Sequence, residues 1–345
     1  MTWTDSLNGD PISWLLEDSS PAVRHATLRQ LLGRGDNDPD MHRSLTEAMK
    51  ADPISSILAA QLPEGYWVKP GPGYSPKYRG TVWQVIFLDQ LGASASDARV
   101  RKACEYVLSM AQTESGGFGA SGAAEECAPP SSRAIHCLNG NLLRALVGFG
   151  WLEDERVRRA IDWQARSITG EEFPHYYQSG TSGPGFCCAA NDKQPCSWGA
   201  VKAILALARI PAERRASHVQ RAIDQGVSFL LGCDPATAAY PVAYGNTKPS
   251  QSWFKLGFPS GYVADILQNL EALCELGLSK DARLGRAVDW LLSKQDGEGR
   301  WRNEYAYNGK TWVDFEKQGQ PSKWVTLRAC RVLRMVYGAN LQDQL

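Results

Sequence analysis

The chain has no excess charge of either sign: 37 basic residues stand against 37 acidic ones, with no basic run. Nucleic acid and acidic membrane surfaces are recognised through clustered Lys and Arg, so neither is expected as a main partner. No apolar run approaches the length that spans a bilayer, which excludes an integral membrane segment. The opening MTWTDSLNGDP lacks the basic-then-apolar pattern of an export signal. Nine cysteines without such a signal imply a reducing, cytoplasmic compartment, where thiols stay free or bind metal rather than pair. Strand-like alternation is nearly missing too; almost everything apolar recurs at helical spacing.

What is present is a repeat. An apolar helix followed by an amphipathic one recurs at roughly 50 to 65 residues. The apolar helices fall near residues 21–33, 80–92, 137–150, 196–210, 261–277 and 322–337. Their amphipathic partners open on Asp-Ala/Glu-Arg-Val/Leu, as in DARVRKACEYVLSMA and DERVRRAIDWQARS. Apolar helices need burial on most sides and amphipathic ones on a single face. A closed ring meets both needs, whereas an open solenoid requires polar terminal repeats, which this chain does not have. The expected fold is all-α: one (α/α)6 toroid domain over residues 1–345, with six inner and five to six outer helices.

Gln295-Asp296-Gly297-Glu298-Gly299-Arg300-Trp301 looks like the Gln-Trp repeat motif of triterpene cyclases, with weaker versions at Gln112–Phe118 and Gln61–Trp67. From about residue 10 to 340 the chain resembles the prenyltransferase and squalene-oxidase-repeat proteins of the terpenoid cyclase/protein prenyltransferase α/α-toroid superfamily. The resemblance implies a toroid with a central cavity for a hydrophobic or isoprenoid-like molecule. Two family motifs are incomplete. The Asp-x-Asp-Asp acid of squalene–hopene cyclases has no counterpart; the acidic turn Asp36 to Asp40 reads as a solvated connector. Of the three zinc ligands of protein prenyltransferase β subunits, Cys196 matches one, but Gln194 replaces the Asp and Ser322-Lys323-Trp324 contains no His.

Three constellations carry chemistry. Cys196 follows Pro195 at the start of one apolar helix, and Cys137 opens another. Free N–H groups and the helix dipole favour a thiolate there. Inner helices about 8–10 Å apart bring such thiols to one rim. Cys188 approaches the same rim, with Cys127, Cys187, His136 and His175 in reach. Three readings stay open: a zinc site on Cys137, Cys188 and Cys196, thiolates partnered by His136, or core thiols. Cys104, Cys274 and Cys330 read as core.

The second constellation is polar: Gln84, Asn139, Asn141, Arg144, Lys202, Asp265, Gln268, Thr326 and Arg328 interrupt the apolar helices. Buried charges are costly unless paired, so this row either bridges across the ring or lines a wet cavity. Asp265 either pairs with Lys202 or Arg328, or handles protons, with Arg79, Arg144 and Lys202 holding an anionic or carbonyl group. The third is aromatic: Tyr66, Trp67, Tyr74, Tyr78, Trp83, Trp198, Trp253, Phe254, Phe258, Tyr262 and Trp324 would wall a cavity mouth, with stapling of the outer helices the alternative for Trp67 and Trp301, and the 63–80 loop suits a lid. A cation about 4 Å from a developing carbocation costs roughly 4 kcal/mol at an effective dielectric near 20, which disfavours a plain polyene substrate.

The sequence therefore points to an enzyme acting on a hydrophobic or isoprenoid-like small molecule with a polar head. Its chemistry would be acid–base or thiolate-assisted elimination, hydration, isomerisation or cyclisation. Cys137, Cys196, His136 and Asp265 would react; Tyr78, Arg79, Trp83, Asn141, Arg144, Trp198, Lys202, Trp253, Tyr262, Trp324 and Arg328 would contact substrate. The alternatives are a zinc–thiolate transferase and a non-catalytic ring that binds lipid or peptide.

Overall fold

The computed structural model describes residues 2–120, 128–173 and 182–338. Among them are thirteen α-helices and isolated β-bridges, with no paired strands. No helix there is long and apolar enough to cross a membrane. After the short α1 (Pro11–Leu15), six apolar helices form an inner set: α2 (Pro21–Gln30), α5 (Thr81–Gln90), α7 (His136–Gly148), α9 (Ser197–Ala208), α11 (Ile266–Glu275) and α13 (Lys323–Tyr337). The outer set is α3 (Pro39–Lys50), α4 (Ile54–Ala59), α6 (Ala98–Met110), α8 (Glu155–Thr169), α10 (Ser217–Leu230) and α12 (Gly285–Ser293). Inner neighbours touch in the order α5, α7, α9, α11, α13, α2, and each outer helix packs on the inner helix before it or on its own outer neighbour.

The repeat pattern has a local cause. Asp97, Asp154 and Asp281 each cap a helical turn by accepting the backbone N–H two residues on, at 2.8, 2.8 and 2.9 Å. The arginine at that second position folds back to grip the same carboxylate through Nε and Nη2. A helix start of this kind satisfies an orphan N–H and places negative charge at the positive dipole end.

The Gln…aromatic motifs are staples between repeats. The Gln61 and Gln112 side-chain amides each donate to a carbonyl in their own loop and to one at the start of the next outer helix, Arg99 and Arg156. Six residues on, Trp67, Phe118 and Trp301 are fully buried, and their backbone N–H groups donate to Thr81, Asn139 and Thr326 on the following inner helices. Gln295 reaches the chain start instead, donating to Ser6 and accepting from Asn8. Arg334 donates to the Gln30 carbonyl at 2.6 Å, and Lys323 pairs with Glu17 at 2.8 Å. The last repeat is thereby sewn to the first.

Two boundaries differ from expectation. α11 starts at Ile266, not 261, because the buried Asp265 caps it by accepting from Gln268 N at 2.8 Å. α9 starts at Ser197 with Cys196 as its cap, so Pro195 lies one residue outside the helix. The 63–80 loop is tied down through Gly71 to Tyr106, Trp83 to Tyr74 and Val82 to Gly73.

Candidate active site

All six inner helices line one cavity of about 100 Å³. Its walls are Ala26 and Gln30 (α2), Ile86, Asp89 and Gln90 (α5), Asn141 and Arg144 (α7), Lys202 (α9), Glu271 (α11), and Trp324, Leu327, Arg328 and Arg331 (α13). Gly92, Arg209, Phe258 and Ser260 complete it from the adjoining loops. At roughly 10–15 Å³ per water, such a space takes several waters or one head group, and no polyprenyl chain.

Its register rests on Gly140. A Cβ at that position would stand 2.5 Å from the Lys202 carbonyl carbon, so α7 and α9 meet backbone to backbone there. Lys202 is 2% exposed, and its ammonium donates to the Gln268 side-chain oxygen. Burial pushes the amine down to about 7; Asp265 opposes the shift, while Arg328 and Arg144 add to it. For Asp265 burial is again the leading cause and raises its carboxyl pKa, against the pull of Arg328. Both groups are thus driven toward their neutral forms.

The arginines are arranged differently. Arg328 Nε donates to Glu271 at 3.0 Å, and Arg331 Nη2 to Glu271 at 2.9 Å and Glu275 at 2.7 Å. Arg144 lies 3.5 Å from Glu275, and Arg209 2.7 Å from Asp89. Burial alone would raise the Glu271 carboxyl, but Arg328 and Arg331 hold it at about 2. Four arginines (144, 209, 328, 331) face three carboxylates (89, 271, 275), which leaves one positive charge over. The buried Nε–H groups of Arg144 and Arg331 have no acceptor. Buried donors are normally paired, so these two mark where an anionic ligand fits.

Of the expected contact residues, Asn141, Arg144, Lys202, Trp324 and Arg328 do line this cavity. Asn141 also donates to the Gly261 carbonyl at 3.1 Å. The aromatics form a continuous strip that leads to it: Tyr74 to Trp83 (5.6 Å), Phe87 (6.3 Å), Phe315 (5.3 Å), Phe258 (6.1 Å), and finally Trp324, stacked at 4.8 Å. Tyr78 and Tyr262 pack on Trp83 at 4.9 and 5.0 Å, beside that strip and not on the cavity wall. Trp198 and Trp253 are elsewhere, lining a separate pocket of about 240 Å³ with Cys196 and Tyr240. Arg79 is a correction: it is exposed and stacks over Trp312 at 5.8 Å on the surface.

His136 is a second correction. It opens α7 but turns outward, with Nε2–H donating to the Gly183 carbonyl at 3.0 Å and Nδ1 accepting from Gln164 at 2.9 Å. Gln164 in turn accepts from Asn139, and Trp163 and Phe186 pack on the ring. Burial lowers the imidazole to about 4, so it is a neutral clasp on α8 and no partner for thiols.

The cysteines do converge. A bridge pairs Cys187 with Pro195, while Cys188 N donates to Gln194 and Cys196 N to Phe186. The Cys196 thiol donates to Cys188, and with the Ala190 and Asn191 amides it brings Cys188 down to about 6. Cys196 is pushed up by that same bond and by burial, and Cys137 rises to about 12, chiefly through burial. The thiolate therefore belongs to Cys188, not to Cys137 or Cys196. Iodoacetamide at pH 7 is expected to label Cys188 ahead of Cys137 by peptide mapping, and Cys196→Ser to slow Cys188. Faster labelling of Cys137 would refute this order. Among the described residues no three His, Cys, Asp or Glu side chains are placed to hold a metal, so the Cys137–Cys188–Cys196 zinc set is not assembled. Cys127 and His175 lie outside the described residues. Cys104, Cys274 and Cys330 are buried, as expected.

Glu271, Glu275, Arg331, Asp89 and Arg209 were not singled out from sequence. The available signal was spacing: Gln268, Glu271 and Glu275 recur at i, i+3 and i+7, and Arg328 and Arg331 at i and i+3, each on one helix face.

No family model matches the chain, and no curated protein does. Among solved structures, the type II terpene cyclase MstE from Scytonema aligns with 84% of this chain and 96% of its own, at 15% identity and a TM-score of 0.31. A variant of that enzyme in complex with geranylgeranyl dihydroxybenzoate gives 14% identity and 0.30 over 85% and 97%. A protein from Actinoplanes gives 16% and 0.34 over 85% and 99%. At these TM-scores the likeness carries no argument about activity in this chain.

Proposed function

We propose that the protein is an enzyme that moves protons on a hydrophobic small molecule, isoprenoid-like in its body, with an anionic head bound at the ring centre. The supporting observation is the cavity's surplus positive charge, with two acceptor-less guanidinium N–H groups beside Lys202. A carboxylate or similar head offers acceptors to both Nε–H groups and cancels the surplus. The head fills the small cavity, and the apolar body packs on Phe258 and Trp324 at the end of the aromatic strip. Asp265, biased toward the acid, and Lys202, biased toward the free amine, are a donor and an acceptor on either side of Gln268. Protonation at one carbon or oxygen and removal at another is the common core of elimination, isomerisation and cyclisation.

The test is turnover of prenylated hydroxybenzoates and shorter prenyl carboxylic acids, followed by chromatography and mass spectrometry. Asp265→Asn is expected to lower kcat about 100-fold or more. Arg144→Met is expected to raise KM with little change in kcat, because it removes head-group binding. An unchanged kcat in Asp265→Asn together with an unchanged KM in Arg144→Met would end this reading.

A further inference from the structure

The five cations around the cavity are not alike. Each of the four arginines meets a carboxylate, whereas Lys202, among the described residues, meets only the neutral side-chain oxygen of Gln268. A buried lysine kept for structure is expected to hold a carboxylate within ion-pair distance, because an unpaired buried ammonium is costly. Lys202 has none, yet it stands in the wall of the cavity that all six inner helices line. Its backbone is fixed against Gly140, so its amine cannot retreat by sliding α9 along α7. The space in front of it is small, and it is bordered by guanidinium donors that lack acceptors.

From this geometry we propose that Lys202 is a nucleophile that forms an imine with a carbonyl group on an anion-bearing substrate, an oxo acid of the size that fits the cavity. This deepens the reading above and rests on the same site. The Lys202 nitrogen attacks the carbonyl carbon, and its proton passes to the carbonyl oxygen to give a carbinolamine. Asp265 then protonates the hydroxyl, which leaves as water while the nitrogen lone pair forms the C=N bond. Hydrolysis reverses the sequence, and no oxidant or reductant is needed. The imine is an electron sink, so a proton on the adjacent carbon becomes removable; this supplies a chemical reason for a lysine amid arginines. The carboxylate of the oxo acid sits on Arg144 and Arg331, where it satisfies both orphan Nε–H groups.

The experiment is reductive trapping of the purified full-length chain with pyruvate and cyanoborohydride, read by peptide mapping. Trapping is expected on Lys202 ahead of every other lysine. It should run about tenfold faster than with acetone, which lacks the carboxylate, since one charge-assisted contact is worth that factor. Excess acetate should suppress it by occupying the arginines. Lys202→Met and Lys202→Arg should give no adduct at this position, and Asp265→Asn should slow trapping while leaving acetate protection intact. Trapping spread evenly over surface lysines would overturn the imine. If acetate quenches Trp324 fluorescence but pyruvate is not trapped, the anion site stands and the nucleophile does not. If neither acetate nor pyruvate perturbs the protein, both readings fall.

Discussion

Lys202→Met is expected to give a protein that is more stable than the parent and inactive. In the unfolded chain the amine titrates near 10.5, whereas in the ring burial brings it to about 7. Between these two pH values the unfolded state binds more protons, so native stability rises with pH across the window and is flat below it. At pH 7 the parent forgoes about 4 kcal/mol through this one group, since each pH unit between the two values is worth about 1.4 kcal/mol. Methionine fills a similar volume without a charge and gives up the hydrogen bond to Gln268, worth about 1 kcal/mol. The variant should therefore gain about 2–3 kcal/mol in urea unfolding at pH 7, and the rise in stability between pH 7 and 9 should flatten by about 1 kcal/mol per pH unit. Measurement is best kept below pH 9, because the buried thiols Cys104, Cys137, Cys274 and Cys330, raised to about 12, reverse the trend above it. A lower urea midpoint in Lys202→Met with an unchanged pH slope would make Lys202 a structural cation and remove it from the chemistry. Stability sacrificed at one residue is the mark of a site kept for function.

The helices were legible because their causes are local. The Asp-x-Arg caps, the Gln…Trp staples and the apolar runs can all be read within ten residues of chain, and apart from the start of α11 they came out where spacing put them. The meeting of Arg144, Lys202 and Arg328 was legible too, since polar residues inside apolar helices must find one another. What failed was orientation. His136 and Cys137 are adjacent at the start of α7, yet His136 turns to Gln164 and Cys137 faces Cys188; helical geometry sets neighbouring side chains about 100° apart, and only the position of α8 decides which one faces the rim. Arg79 failed for a similar reason: it precedes α5 in a loop whose path is set by Gly73 and Gly80, and that path delivers it to Trp312. The proton on the thiol pair was likewise invisible. A helix N-terminus stabilises a thiolate, but Cys196 donates its S–H to the Cys188 sulfur, which collects two further amide donors from its own turn. Glu271 was missed although it is the most consequential charge in the ring.

Glu271→Gln should move stability the other way. Its carboxylate is 1% exposed and takes donors from both Arg328 and Arg331. Removing that charge strips Arg328 of its carboxylate, leaves Arg331 with Glu275 alone, and doubles the cavity's surplus from one positive charge to two. Breaking one side of a buried ion pair costs about 3–5 kcal/mol, and the glutamine amide returns only a fraction of this through neutral hydrogen bonds. The pH dependence gives a second, independent reading. With a folded value of about 2 against an ordinary 4.5, the group contributes stability that is complete above pH 4.5 and lost as pH falls through about 2. That contribution is about 3 kcal/mol, in agreement with the mutational figure, and Glu271→Gln should lack this part of the acid transition. Acetate or sulfate should then stabilise Glu271→Gln more than the parent, since the added positive charge draws an anion more strongly into the adjoining cavity. Adding Arg328→Met to Glu271→Gln should restore most of the loss by removing the cation left without a carboxylate. If Glu271→Gln instead unfolds within about 1 kcal/mol of the parent, the arginines are well solvated, the cavity is open to water, and a surplus charge there would be too weakly felt to recruit an anionic head group.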